Sequence, residues 1–159
     1  MSETPTGHLH AFLAGVGRDG RGRVAADVLS FSDRDLEAVH DYIQWLFPLP
    51  TRSAAQPHSP ILMQAEVEAI RADPRAVETL KAATERMLRF YQDTRWWLTS
   101  HDHNHLRITR ILHSLRLLVG PDETKAFYDA ILALNEAAGA PVNTRSLHYW
   151  AEAAGCAGS

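Results

Sequence analysis

The 159-residue sequence predicts an all-α fold, and three observations support this prediction. Apolar residues recur at helical spacing in several segments. Helix-capping residues stand before these segments, and glycine and proline stand behind them. Alternating β-branched runs between turn signals, which are typical of strands, are absent from the sequence. Length, composition and the caps therefore predict a single compact domain over residues 1–159, of about six helices.

The first predicted helix spans residues 33–47 and follows Ser32, a favoured N-cap residue. Its apolar side chains point in most directions around the axis, which is typical of a central, buried helix. The polar residues are confined to a narrow sector formed by Glu37, Asp41 and Gln44, and His40 borders that sector. Prolines end this helix and recur through residues 48–60, which are therefore predicted to form a loop.

The later helices are predicted from their caps. Asp73 followed by Pro74 is a strong helix start, and Gly120 followed by Pro121 ends one helix and begins the next. Asn143 is the predicted cap of a last helix, which ends at Gly155 and leaves residues 155–159 as a flexible tail. The remaining helices are predicted at about 64–72, 74–92, 103–119, 121–138 and 144–154.

Composition argues against several classes of protein. A formal net charge of −3 gives no general attraction to nucleic acid. A lone cysteine, Cys156, allows neither an intramolecular disulfide nor a cysteine-based zinc motif, and it suits a cytoplasmic location. The N-terminal stretch lacks the pattern of a secretory signal, and no apolar run is long enough for a transmembrane helix. No cofactor-binding motif is evident, and the sequence does not specify an oligomeric state.

The segment "SHDHNHLRITRIL", residues 100–112, contains the most concentrated polar chemistry of the sequence. On a helical wheel Asn104 begins the apolar face and Arg107 flanks it, so Arg107 is the arginine most expected to be partly buried. A buried guanidinium needs a bidentate carboxylate or phosphate. Two hypotheses follow: Arg107 pairs with Asp41 or Glu37, or it binds an anionic ligand.

Three histidines at alternate positions, His101, His103 and His105, are weak candidates for metal ligands. His101 and His103 would share one face of an extended lead-in, but His105 would already be turned away on the helix. Helix capping by Ser100 or Asp102, with local histidine hydrogen bonds, is the simpler interpretation.

Two motifs in this order carry a resemblance to a known family. The stretches "HDYIQWLFPLP", residues 40–50, and "HNHLRITRIL", residues 103–112, resemble the conserved region of the opioid growth factor receptor family, also called the zeta-type opioid receptor, and its shorter bacterial relatives. The closing stretch "LHYWAEAA" is also similar, so the likeness extends over about residues 9–154. His101 and His105 depart from the family pattern and are predicted to be incidental.

The resemblance implies a domain that binds a small enkephalin-like peptide. The leading hypothesis is therefore a non-enzymatic module that binds a small anionic or peptide-like ligand. Its candidate site residues come from both motifs: His40, Asp41, Gln44, Trp45, His103, Asn104, Arg107 and Arg110.

Two alternatives stay open. In the first, His40 and His103 act as bases or metal ligands around Arg107, which would make the protein an enzyme or a metal-binding protein. In the second, both motifs simply interlock the fold of a structural or protein-interaction domain.

Overall fold

A computed structural model describes residues 4–54 and 56–156. The described residues form helices and loops and contain no strand, which confirms the predicted all-α class. The chain divides into two compact units, Met1–Ala83 and Thr84–Ser159, called here the N-terminal and the C-terminal unit. The prediction of one domain over residues 1–159 stays a prediction. No helix among the described residues is long and apolar enough to span a membrane.

Nine helices occur within the described residues, compared with about six predicted. They are α1 His8–Leu13, α2 Ala25–Leu29, α3 Asp33–Ala38, α4 Ile43–Leu46, α5 Gln64–Arg71, α6 Pro74–Asp93, α7 His103–Leu118, α8 Pro121–Ala137 and α9 Thr144–Ala154. The five predicted helices after residue 60 are confirmed. The additional helices are α1 and α2, which the sequence reading missed, and one produced by a break in the first predicted helix. The predicted loop 48–60 is confirmed at its described positions.

The prediction of a single central helix over residues 33–47 is wrong. Helix α3 ends at Ala38, Val39 is extended with φ −89° and ψ 131°, and the chain becomes helical again only at Ile43. The Tyr42 side chain explains the break, because it turns back, is fully buried, and its hydroxyl donates to the Leu36 carbonyl at 2.6 Å. A carbonyl at the end of α3 thereby gains a side-chain partner in place of a continuing helix.

In the N-terminal unit, helix α1 packs against α4 and α5, and two acidic side chains anchor it. Glu66 is buried and accepts from the backbone N–H groups of Leu9 and His10 at 3.1 and 3.2 Å. This close approach requires a glycine at position 7, since an added Cβ would lie 2.4 Å from the Glu66 carboxylate. The second anchor is Asp73, which accepts from Nε2 of the buried His10 at 2.8 Å.

Asp73 is held as a carboxylate by its neighbours. Hydrogen bonds from the Arg75 guanidinium hold the pKa of Asp73 well below its usual range, although partial burial opposes them, and His10 adds to the effect. On the other side of the His10 ring, Nδ1 accepts from the Thr6 backbone N–H at 2.9 Å, so Nε2 carries the hydrogen. This chain of bonds fixes the start of α1 at the junction between α5 and α6.

In the C-terminal unit, helices α7, α8 and α9 pack on one another. The predicted apolar face of α7 is confirmed, because Ile108, Ile111, Leu112, Leu115 and Leu118 are all buried. The predicted caps are also confirmed: Asp102 accepts from the Asn104 N–H, and Asn143 accepts from the Ser146 N–H. Gly155 ends α9 in the left-handed conformation at φ 81°. The predicted tail begins there, and its residues 157–159 lie outside the described residues.

Candidate functional site

In the N-terminal unit, His40, Asp41 and Trp45 lie around two adjoining depressions of about 410 and 140 Å³. Both depressions are bordered by Arg21, Asp41 and Gln56. His40 is exposed, whereas Gln44 is buried and its Oε1 atom has no hydrogen-bond partner among the described residues. The predicted polar sector of Glu37, Asp41 and Gln44 is therefore wrong, because the break after α3 places these residues on different elements.

Asp41 belongs to a network of two aspartates and two arginines, called here the arginine–aspartate network: Asp19, Arg21, Arg23 and Asp41. Arg23 donates to Asp19 at 2.7 Å and to Asp41 at 2.8 Å, and Arg21 donates to the other Asp41 oxygen at 3.3 Å. Burial alone would lower the pKa of Arg23, but the hydrogen bonds and charges of Asp41 and Asp19 outweigh it and raise that pKa. Both oxygens of Asp41 thus accept hydrogen bonds from arginines of the same unit.

Asp19 organises the loop that carries this network. Its side chain is fully buried, and its Oδ1 atom accepts from the backbone N–H groups of Arg21 and Arg23, each at 2.9 Å. The sequence reading missed Asp19 and both arginines. The available signal was the Asp19–Gly20 dipeptide, a common turn former, within the arginine-rich stretch "RDGRGR".

In the C-terminal unit, Asn104 and Arg107 are buried together at the start of α7. The Asn104 Oδ1 atom accepts from the Tyr91 hydroxyl and from Arg107, each at 3.3 Å, while its amide donates to Asp102 at 2.9 Å. The prediction that Arg107 is the most buried arginine is confirmed among the described residues. Arg110 is half-buried, and burial lowers its pKa to about 10. Asn104 and Arg107 therefore support the fold of the C-terminal unit.

His105 is not incidental, contrary to the sequence prediction. The ring is buried, its Nε2 donates to the Trp97 carbonyl at 2.8 Å, and its own backbone carbonyl accepts from Trp150 Nε1 at 2.9 Å. Its ring also meets the Trp150 ring edge-to-face, with the centroids 5.7 Å apart. Trp97, His105 and Trp150 are called here the tryptophan–histidine cluster. The family pattern at position 105 could not reveal this role, because the role depends on the contacts that His105 makes with Trp97 and Trp150 in the folded chain.

The three histidines do not share a metal-binding geometry. His105 Nε2 is used by the Trp97 carbonyl, while His101 is exposed and its Nδ1 lies 2.9 Å from the Ser100 hydroxyl. His103 is exposed, with Nδ1 3.9 Å from Asp102. Within the described residues these rings do not bring three ligand atoms together.

An open cleft of about 870 Å³ lies where the start of α7 meets the start of α9, and it is called here the α7–α9 cleft. Asn143 connects the two sides of the cleft, because its backbone N–H and its side-chain amide both donate to the Ser100 carbonyl. Two large apolar side chains are exposed there: Leu106 is 70% and Tyr149 is 41% exposed. The cleft is lined by His101, Asp102, His103, His105, Leu106, Asn143, Thr144, Arg145, Ser146 and Tyr149.

His103 is the predicted site residue that lines this cleft. The first motif lies in the N-terminal unit and the second in the C-terminal unit. A shared pocket that unites residues of both motifs therefore stays a prediction. The sequence patterns placed Leu106 within the family likeness only and gave Arg145 no role, although a leucine on the polar side of a helical wheel was the available signal.

Fold and surface together define an all-helical protein with an open cleft of apolar and basic side chains. Residues 30–95 match the opioid growth factor receptor (OGFr) conserved region. This part of the chain is therefore similar to the opioid growth factor receptor family, which confirms the predicted resemblance there. The match includes the first predicted motif and ends before the second, so the wider likeness over residues 9–154 stays a prediction.

Curated relatives agree with this match. The chain is 41% identical over 98 residues to the opioid growth factor receptor of Rattus norvegicus, which covers 50% of this chain and 17% of that one. The human receptor is 36% identical over 102 residues, covering 50% of this chain and 14% of the human one. The chain thus spans about a sixth of the length of these relatives. No solved structure matches this chain.

Proposed function

We propose that this protein is a non-enzymatic module that binds short peptides in the α7–α9 cleft. The observation that carries the proposal is the exposure of Leu106 and Tyr149 at a cleft of about 870 Å³. Exposed apolar side chains gathered in a concave surface are typical of ligand-binding sites. The volume is within the range of small-ligand and peptide pockets.

The relatives' name supports a peptide as the ligand, since those proteins are named receptors of an opioid growth factor. An enkephalin-like pentapeptide is the probe that follows from this relationship. Its aromatic and aliphatic side chains would lie against Leu106 and Tyr149, and its backbone would meet the polar edge of the cleft formed by Asn143 and His103. Peptide sites of this kind combine apolar anchors with a polar rim.

Calorimetric titration of the full chain with the pentapeptide tests the proposal. We expect a dissociation constant below about 1 mM, equivalent to roughly −4 kcal/mol. Replacing Leu106 with Asp should weaken binding by about 1.5 kcal/mol or more, because an apolar contact is lost and a charge is placed beside it. The matched control is Met63→Asp, which alters an equally exposed apolar side chain, 63% exposed, in the N-terminal unit.

The outcomes are distinct. Equal weakening by Leu106→Asp and Met63→Asp would contradict the assignment to this cleft. Absence of heat and of chemical-shift changes at millimolar peptide would contradict peptide binding of this class altogether.

A cytoplasmic location goes with this proposal and rests on the lone cysteine of the sequence. Fractionation of cells that carry an epitope-tagged chain tests it. Recovery of the chain in the soluble cytoplasmic fraction is the expected result, and recovery outside the cytoplasm would contradict it.

A further inference from the structure

Arg145 is an exposed arginine of the α7–α9 cleft, and its surroundings differ from those of several other arginines. Arg23, Arg75 and Arg107 each donate to an acidic or amide side chain. Arg145 lies in the first turn of α9, is exposed, and lines the α7–α9 cleft. Within the described part of the chain its guanidinium has neither a hydrogen bond nor an ion pair. It therefore presents a complete set of donors to whatever enters the cleft.

Two other polar side chains of the cleft, Asp102 and Asn143, have structural roles. The Oδ2 atom of Asp102 accepts from both the backbone and the side chain of Asn104, each at 2.9 Å. The Asn143 side chain accepts from the Ser146 N–H and donates to the Ser100 carbonyl. These contacts build the walls of the cleft, and they leave Arg145 as its one fixed positive charge among the described lining residues.

We infer that Arg145 binds the C-terminal carboxylate of the peptide, while an apolar side chain near that terminus packs on Leu106 and Tyr149. A guanidinium matches a carboxylate in shape and charge, because two parallel N–H groups face two oxygens. Every unblocked peptide carries such a carboxylate, whatever its sequence. This inference rests on the proposed function, and it adds to it the end of the peptide that is recognised.

A matched pair of pentapeptides tests the inference: one with a free C-terminal carboxylate and the same sequence as a C-terminal amide. Both are titrated against the full chain at low ionic strength, where screening is weakest. We expect the free acid to bind about tenfold more tightly than the amide, which is the size of one charge-assisted contact. In Arg145→Gln this ratio should fall to about one, because the free-acid peptide loses its contact with the guanidinium and the amide peptide has no such contact to lose.

The control variant is Arg95→Gln, which removes one positive charge from another exposed arginine of the same unit outside the cleft lining. It should keep the tenfold ratio if local contact, and not net charge, is responsible. Arg145→Lys should give an intermediate ratio, because a lysine keeps the charge without the planar fork. Circular dichroism of each variant verifies that the helices are intact.

Three results would overturn the inference. Equal binding of acid and amide by the unmodified chain would leave peptide binding in place and remove the terminal contact. A tenfold ratio that persists in Arg145→Gln would assign the carboxylate to another group. A peptide amide with one internal Glu that binds as tightly as the free acid would show recognition of any carboxylate and not of the terminus. Failure of all peptides to bind would contradict the proposed function itself.

Discussion

Two sets of side chains hold irregular segments of this protein in place by different chemistry. They are the arginine–aspartate network of the N-terminal unit and the tryptophan–histidine cluster of the C-terminal unit. Each fixes an irregular segment: the first holds the loop at residues 18–23, and the second holds the approach to α7. The network is charged and partly exposed, with the Asp41 side chain 26% exposed. The cluster is buried, and its hydrogen bonds are accepted by backbone carbonyls. Water competes for the hydrogen bonds of the network and not for those of the cluster. Substitutions in the cluster should therefore lower the free energy of unfolding by more than substitutions in the network.

The largest expected effect is that of His105→Ala. The substitution leaves the buried Trp97 carbonyl without its donor and opens a cavity beside Trp150. We expect a loss of about 2–4 kcal/mol in the free energy of unfolding, from the unsatisfied acceptor and the cavity together. Urea denaturation followed by circular dichroism measures it.

The matched control is His101→Ala, from the same motif but exposed. It should change stability by no more than about 0.5 kcal/mol. If both variants lost the same amount, the distinction drawn between the two histidines would be wrong.

The second effect is that of Asp19→Asn, which removes charge from the buried side chain of the network. Its bond to Arg23 at 2.7 Å becomes a neutral one, and the amide cannot accept as many hydrogen bonds. We expect the free energy of unfolding to fall by about 1.5–3 kcal/mol, which is typical for the loss of a hydrogen bond to a charged group. The readout is again urea denaturation. Asp41→Asn serves for comparison and should cost less, because Asp41 is more exposed; a larger cost for Asp41 would contradict the central place of Asp19.

The third effect is a pH dependence at Asp73. Because its pKa is held below the usual value of about 4, the ionised form contributes stability above that pH, and this contribution is lost as the pH falls toward the pKa of the folded state. Asp73→Asn should therefore have a lower melting temperature than the unmodified chain at pH 7. The difference between the two should narrow between pH 4 and pH 2, as measured by thermal melts.

Exposed Asp93 provides the control for this experiment, since Asp93→Asn should leave the pH profile of the melting temperature nearly unchanged. A difference for Asp73→Asn that stays constant from pH 7 to pH 2 would show that its carboxylate does not supply the stability.

The smallest expected effect is that of Arg21→Gln. The Arg21 side chain is 73% exposed and lies 3.3 Å from Asp41, so the pair is well solvated. Stability should change by less than about 0.5 kcal/mol, and the change should vanish in high salt. Denaturation at two salt concentrations tests this, and a loss of more than about 1 kcal/mol in the free energy of unfolding would show that the Arg21–Asp41 pair is not weakened by solvent.

Sequence patterns predicted the long helices well. Helices α5 to α9 follow apolar periodicity and caps such as Asp102 and Asn143, which act within a few residues of their own position. The break after α3 could not be predicted this way. Residues 33–47 have a helical pattern throughout, and the interruption depends on the buried Tyr42 side chain and on partners from the loop at residues 18–23.

The candidate site shows the same limit. Burial of Asn104 and Arg107 followed from the helical wheel, because that argument concerns one helix. The α7–α9 cleft did not, since it depends on two helices whose first residues are about 40 positions apart. Arg145 and Tyr149 become part of a site only through that packing.

The Asn143 contact with the Ser100 carbonyl joins positions 43 residues apart, so the cleft exists only when both ends of this span are present. Helix α7 is synthesised before the opposite wall of the cleft, which begins at Asn143. Fragments that stop before residue 143 would retain all of α7 but only one side of the binding surface. Truncation from the C-terminus should therefore abolish ligand binding once it removes Trp150 and Tyr149, before it reaches Asn143.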